Sequence, residues 1–117
     1  MTRSDPLADP GAQIATEILR VHQDSYGTGA GKVTVHILDD AVFVLLDDLE
    51  LSAIERTLLK GGREDSIAET RASFQVAIAT TFRAIVERAT GRTVTSFLSN
   101  TSVGSLYSVE VFRLAAA

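Results

Sequence analysis

The sequence has no cysteine. Disulfides, thiolate catalysis, iron–sulfur clusters and thiolate zinc sites are excluded together. Only two histidines occur, His22 and His36, too few for a multi-histidine metal site within one chain. No stretch reaches the roughly 20 apolar residues that span a bilayer. The N-terminal "MTRSDPLADPG" has no apolar core for a signal peptide, so the expected location is the cytoplasm, as a soluble protein. Basic excess is missing too. Net charge is −4, and the eleven Lys and Arg residues are scattered rather than gathered into a phosphate track. This argues against nucleic-acid binding.

What is present suits one compact domain. The chain has 117 residues, and its 45% hydrophobic content can furnish a core at that length. Residues 1–8 read as a loose polar tail, and 9–117 as a single domain. Asp9-Pro10 reads as an N-cap followed by proline in a first helical turn. Ile14, Ile18, Leu19 and Val21 then form a helical stripe, predicting a helix over about 10–25. Glycines at 27, 29 and 31 end it.

"KVTVHIL" (32–38) is rich in β-branched residues and predicts a strand. Asp39-Asp40 breaks it, and "AVFVLLDDL" (41–49) predicts a second strand in a hairpin with the first. Its apolar start reads as covered on both faces, which places it inside the sheet. Ser52 and Glu55 have capping-box spacing, predicting a short helix over about 52–60 that ends at Gly61-Gly62. A longer helix runs from Glu64 to about Ala89. Ile67, Phe74, Ile78, Phe82, Ile85 and Ala89 share its apolar stripe. "TVTSFL" (93–98) and "LYSVEVFRL" (106–114) predict two more strands, joined by a turn-rich "SNTSVGS". The fold class is therefore α+β in the order αββααββ. It should build a four-stranded, mostly antiparallel sheet with the long helix packed on one face.

Candidate chemistry is sparse. "YGTGAGKVTV" (26–35) superficially suggests a phosphate loop. Gly27 and Gly31-Lys32 enclose three residues rather than four, however, and Val33 stands where a hydroxyl is needed. The segment also runs from helix to strand, so no helix N-terminus backs it. A glycine-rich turn is the better reading. Arg71 sits between Ile67 and Phe74 on the apolar stripe and needs a partner. Asp39, Asp40, Asp47 and Asp48 are the acids considered. A structural ion pair is preferred over a ligand site. His36 lies mid-strand between Val35 and Ile37 and reads as half-buried, in preference to a lone proton acceptor in a groove. The Asp39-Asp40 and Asp47-Asp48 pairs lack the loop spacing of a calcium site. Ser96, Ser99, Thr101, Ser102 and Ser105 occur without a nucleophile elbow or a histidine placed to activate them. No catalytic residue, cofactor or metal is expected. Tyr107 and Phe112 should fall on opposite faces, so no aromatic platform for RNA forms.

The ordered set of segments resembles the MpsC-like family of small bacterial proteins, from about residue 12 to 114. The matching pieces are "YGTGAG", "DDAVFVLLDDLELSAIERTLLKGGRE", "ETRASFQ", "VERATGRTVTSFLSN" and "VEVFRL". Thr28 and Ala30 stand where the family usually carries a basic residue and a proline. The resemblance implies a small soluble accessory to a cation-translocating system that generates membrane potential, whose other components are membrane proteins. It carries over no catalytic residues. Gly27, Gly29, Arg63 and Arg71 match family positions and are candidates for a shared surface or packing role.

Two readings follow. One is a non-catalytic interaction module. It acts as a homodimer, because a small sheet with two apolar faces needs both covered, and it docks on a membrane transporter subunit without inserting into the bilayer. The other is an anion or small-ligand sensor, or an enzyme, built on loop 26–32 with Arg71. It requires Lys32 and Arg71 to meet in one concave pocket.

Overall fold

The structure is a computed structural model that describes residues 9–116; the expected tail over 1–8 lies outside them. Helix α1 (Pro10–Tyr26) leads into strands β1 (Ala30–Leu38) and β2 (Ala41–Leu49). Helices α2 (Ala53–Lys60) and α3 (Glu64–Thr90) follow, then strands β3 (Val94–Ser102) and β4 (Tyr107–Leu114). The strand order is β1-β2-β4-β3, with every neighbouring pair antiparallel. This is the α+β fold in the expected order, and β2 is an inner strand.

Local chemistry sets the element ends. The Asp9 carboxylate accepts from Gly11 N–H at 3.0 Å, and Pro10 opens α1 without a surplus donor. Gly27 closes α1 at φ 92°, a left-handed conformation that costs a glycine little. The 27 residues of α3 give a rod of about 40 Å.

β1 and β3 are longer than expected. β1 begins two residues earlier, because Ala30 pairs with Leu49. β3 continues through Ser99-Asn100-Thr101-Ser102, a stretch expected to be connector. Backbone pairing with β4 outweighs the turn preference of those residues, and Thr101 Oγ1 donates to Ser108 Oγ at 3.2 Å. The connector shrinks accordingly to 103–106.

The core lies on one face of the sheet. Val42, Val44 and Leu46 of β2 and Phe112 and Leu114 of β4 meet Ile14 and Ile18 of α1 and Phe82, Ile85 and Val86 of α3. Asp48 adopts φ 52°, and the β1–β2 register omits the Gly31–Asp48 pair. That irregularity turns Leu49 back into the core. The deepest residues of α3 are Ile67, Arg71, Gln75, Phe82, Ile85 and Val86, while Phe74 and Ile78 are half-buried. Two of the six are polar, and each marks a place where this core is not simply oil.

The opposite face of the sheet is open. Row by row it carries Lys32–Asp47–Tyr107–Ser102, Thr34–Leu45–Val109–Asn100, His36–Phe43–Val111–Leu98 and Leu38–Ala41–Arg113–Ser96. The expectation that β2 is covered on both faces therefore does not hold for the single chain. Phe43 is exposed and Leu45 only half-buried, because both long helices pack on the other side.

Candidate functional site

One polar network ties α1, the loop after it, α2 and α3 together. The Ser52 hydroxyl accepts from Glu55 N–H at 3.1 Å, and the Glu55 carboxylate accepts from Ser52 N–H at 3.0 Å. This reciprocal box starts α2 and turns Glu55 inward against α3. There Arg71 grips the same carboxylate with two donors, Nε to Oε2 and Nη2 to Oε1, both at 2.9 Å. The Tyr26 hydroxyl donates to Oε2 at 2.7 Å, and the Arg71 guanidinium lies 4.6 Å from the centre of the Tyr26 ring. Arg71 Nη2 also donates to the Glu50 carbonyl at 3.0 Å.

The glycine loop closes onto this network. Gly29 N–H donates to the Glu50 carboxylate and Glu50 N–H donates to the Gly29 carbonyl, both at 2.9 Å. His22 Nδ1 lies 2.6 Å from the Thr28 carbonyl, and its ring packs edge-on against Phe74. A Cβ at Gly29 would stand 2.8 Å from the exposed Gln23 side chain, which would have to swing aside.

The electrostatics follow from the geometry. Burial raises the Glu55 pKa, but the donors from Arg71, Ser52 and Tyr26 outweigh it and hold the carboxyl below its ordinary value. Burial, with the Glu55 contact, pushes the Tyr26 phenol well above its usual range. Burial lowers the His22 pKa despite the opposing pull of the Thr28 carbonyl, which keeps the ring neutral. Each oxygen of Glu55 already accepts two hydrogen bonds, which fills the acceptor capacity of a carboxylate. The group has no lone pair left to take a proton from a substrate. Ser52→Ala, which removes one half of the box, is expected to lower stability by about 1 kcal/mol, read from the urea midpoint.

Of the five sequence candidates, Gly27, Gly29 and Arg71 gather here, at the loop beside α3. Lys32 and Arg63 do not. Lys32 is exposed and sits opposite Asp47 on the open face of the sheet, away from the helices. Arg63 is exposed at the start of α3 and pairs with Asp65 at 3.4 Å. The partner of Arg71 is Glu55, not one of the four aspartates considered. Asp47 faces the open side of the sheet, Asp48 is exposed, and the Asp39-Asp40 turn is engaged by Arg92. His36 is exposed rather than half-buried, on the open face beside Phe43. Tyr107 and Phe112 do lie on opposite faces, with Phe112 buried in the core and Tyr107 exposed.

Four residues of consequence escaped the sequence reading. Glu55 was legible only as a cap, His22 only as a helix member, and Tyr26 only as the start of the glycine segment. Glu110 was the most readable, because it shares strand parity with Phe112 and Leu114 and so belongs on the buried face. It is 0% exposed there, and Ser108 Oγ donates to its Oε2 at 2.8 Å. Its Oε1 has no hydrogen-bond partner. Burial pushes its pKa up to about 7, against the pull of the Ser99 and Ser108 hydroxyls beside it.

Among the described residues, no group of three or more His, Asp or Glu side chains is placed to hold a metal ion, and no helix is long and apolar enough to cross a membrane. No curated protein and no solved structure matches the chain. One family model does match, over residues 11–116, and its description reads "Na+-translocating membrane potential-generating system (MpsC)". That match takes in α1 through β4, the closed Glu55–Arg71 network and the open sheet face alike, and the chain belongs to the MpsC family.

Proposed function

We propose that this protein is a non-catalytic accessory module of a Na+-translocating membrane potential-generating system. It works on the cytoplasmic side as a homodimer and docks on a membrane subunit through its open sheet face. The observation that carries this reading is that face. Its two central rows place Leu45, Phe43, Val109, Val111 and Leu98 together, with charged residues kept to the end rows. An apolar centre with a polar rim is the anatomy of a protein-binding patch. Family membership supports the choice of partner. The competing sensor reading needs a guanidinium free to take an anion, and Arg71 already holds Glu55 in a two-pronged pair.

The test is capture of tagged protein from native membranes, with the bound proteins identified by mass spectrometry. Wild-type protein should retain an integral membrane component of an ion-translocating system. Phe43→Asp and Val111→Asp should each reduce that recovery at least tenfold while leaving the circular dichroism spectrum unchanged. Recovery that ignores both substitutions would remove the sheet face from the proposal. A catch free of ion-translocating membrane proteins would remove the partner.

A further inference from the structure

The dimer invoked above does not need the open sheet face. We propose that two copies join edge to edge, β3 against β3 and α3 against α3, about a two-fold axis passing near Leu98 and Ala79. This rests on the homodimer part of the preceding reading and assigns it a surface.

The strand edge is the first observation. β3 is one of the two edges of the sheet, and its nine residues, VTSFLSNTS, contain neither a charge nor a proline. Edge strands that must stay single are usually blunted by such residues. The other edge, β1, carries Lys32 and ends at the Asp39-Asp40 turn. The β3 edge has no such guard along its centre. Its only irregularity is a register shift between Val94 and Ser96, at the start of the strand.

The second observation lies beside that edge. A groove of about 330 Å³ runs between α3 and β3, with Ala72, Val76, Ala79 and Phe97 as its apolar lining. Val76 is 80% exposed on the helix side, and Leu98 is 65% exposed on the other side of the sheet. Large apolar side chains therefore stand uncovered on both sides of one edge. Ala72 and Ala79 are seven residues apart and lie on one helix face, so a second helix can approach closely there.

The third observation chooses the occupant. Among the described residues, two groove side chains keep a buried atom without a hydrogen-bond partner, Gln75 Oε1 and Arg83 Nε, while the Ser99 hydroxyl faces Glu110 across the β3–β4 ladder. Gln75 is only 6% exposed. A buried acceptor left unpaired is costly, and native structures rarely tolerate it. Gln75 and Arg83 are an acceptor and a donor, eight residues apart, with Ala79 midway. A two-fold axis at Ala79 runs the helices antiparallel and brings Arg83 against the partner's Gln75, while Gln75 meets the partner's Arg83. Such reciprocity is the mark of an isologous contact. The same axis fits the strand, because Leu98 is the middle residue of β3 and its neighbours Phe97 and Ser99 line the groove with Ala79. Helix and strand thus require one symmetry element, not two. A second copy of this chain satisfies the edge, the apolar lining and the orphaned polar atoms at once.

Light scattering coupled to size-exclusion chromatography tests the proposal at micromolar concentration. Wild-type protein should elute with twice the 12.5 kDa chain mass. Val76→Glu, at an exposed position where folding does not depend on the side chain, should weaken the dimer at least tenfold. The chain is free of cysteine, so Ala79→Cys can report the axis directly. On oxidation it should form a disulfide-linked dimer, whereas Val109→Cys on the open face should not. A wild-type monomer would overturn the proposal. So would a dimer that survives Val76→Glu but dissolves in Phe43→Asp, because the open face would then be the interface. A dimer with these edge properties that captures no membrane protein would leave this inference standing and remove only the docking partner.

Discussion

Arg71→Ala should destabilise the protein by about 3 to 5 kcal/mol, the usual cost of removing one partner from a buried ion pair. The reason is the group left behind. Arg71 is 2% exposed, and its two donors to Glu55 are what offset the burial of that carboxylate. Without them Glu55 is a buried charge with only Ser52 N–H and the Tyr26 hydroxyl for company. The Glu50 carbonyl and the face of the Tyr26 ring lose their cation as well. Urea unfolding at neutral pH measures the loss, with the slope of the transition as a check that the unfolded state is unchanged. Replacing both partners, Arg71→Met with Glu55→Leu, should recover most of it, since a packed apolar pair avoids the desolvation of two charges. A loss below about 1 kcal/mol for Arg71→Ala would show that the network contributes little and that packing alone holds α2 against α3.

Glu110→Gln should stabilise the protein by about 3 kcal/mol at pH 8, a gain that disappears in acid. The carboxyl pKa rises from 4.5 to about 7 on folding, because β4 buries the group and the Ser99 and Ser108 hydroxyls only partly offset that burial. Below pH 4.5 both states hold the proton, and Glu110 costs nothing in charge. Between 4.5 and 7 the folded state keeps a proton that the unfolded state has released, so stability falls as pH rises. Above 7 the whole penalty is in place. The unfolding free energy of Glu110→Gln minus that of the wild type should therefore grow from near zero at pH 4 to the full gain at pH 8, a difference in which the other titrating groups cancel. Parallel profiles for the two proteins would mean that the carboxylate is solvated and that its burial is not felt.

The two acid–base effects bracket the pH range from opposite sides. His22 is buried with a lowered pKa, so its contribution is present above its ordinary 6.5 and is lost as pH falls below that, where the unfolded chain takes up a proton the folded one refuses. Glu110 acts in reverse across neighbouring pH values. Glu55, held below its ordinary value, adds stability that is lost only in stronger acid.

How much of this was legible depends on which residues one asks about. The β-branched run over 32–38, the caps at Asp9 and Ser52, and the glycines at 61 and 62 are local signals, and each element they announce is present. The end of β3 was not legible, because Ser99 to Ser102 are turn formers on their own and become strand only when β4 offers a ladder of partners. Arg71 was visible as a charge on an apolar stripe, but its partner was not. Glu55 is sixteen residues away in the chain, and nothing local distinguishes it from the four aspartates. Glu110 carried a signal in its parity with Phe112 that a stricter reading of the strand would have used.

Sequence alone therefore determined the order αββααββ, the inner position of β2, the absence of thiol chemistry and the family to which the chain belongs. The first three depend on periodicity, composition and short-range capping, all written within a few residues of each other, and the family rests on the match over residues 11–116. Tertiary structure alone decided that Arg71 is answered by Glu55, that α1 and α3 share one side of the sheet and leave the other bare, and that Gln75 and Arg83 are stranded at one edge. Each depends on which distant segments meet, and that is set by the collective burial of a core to which no single stretch of the chain has access.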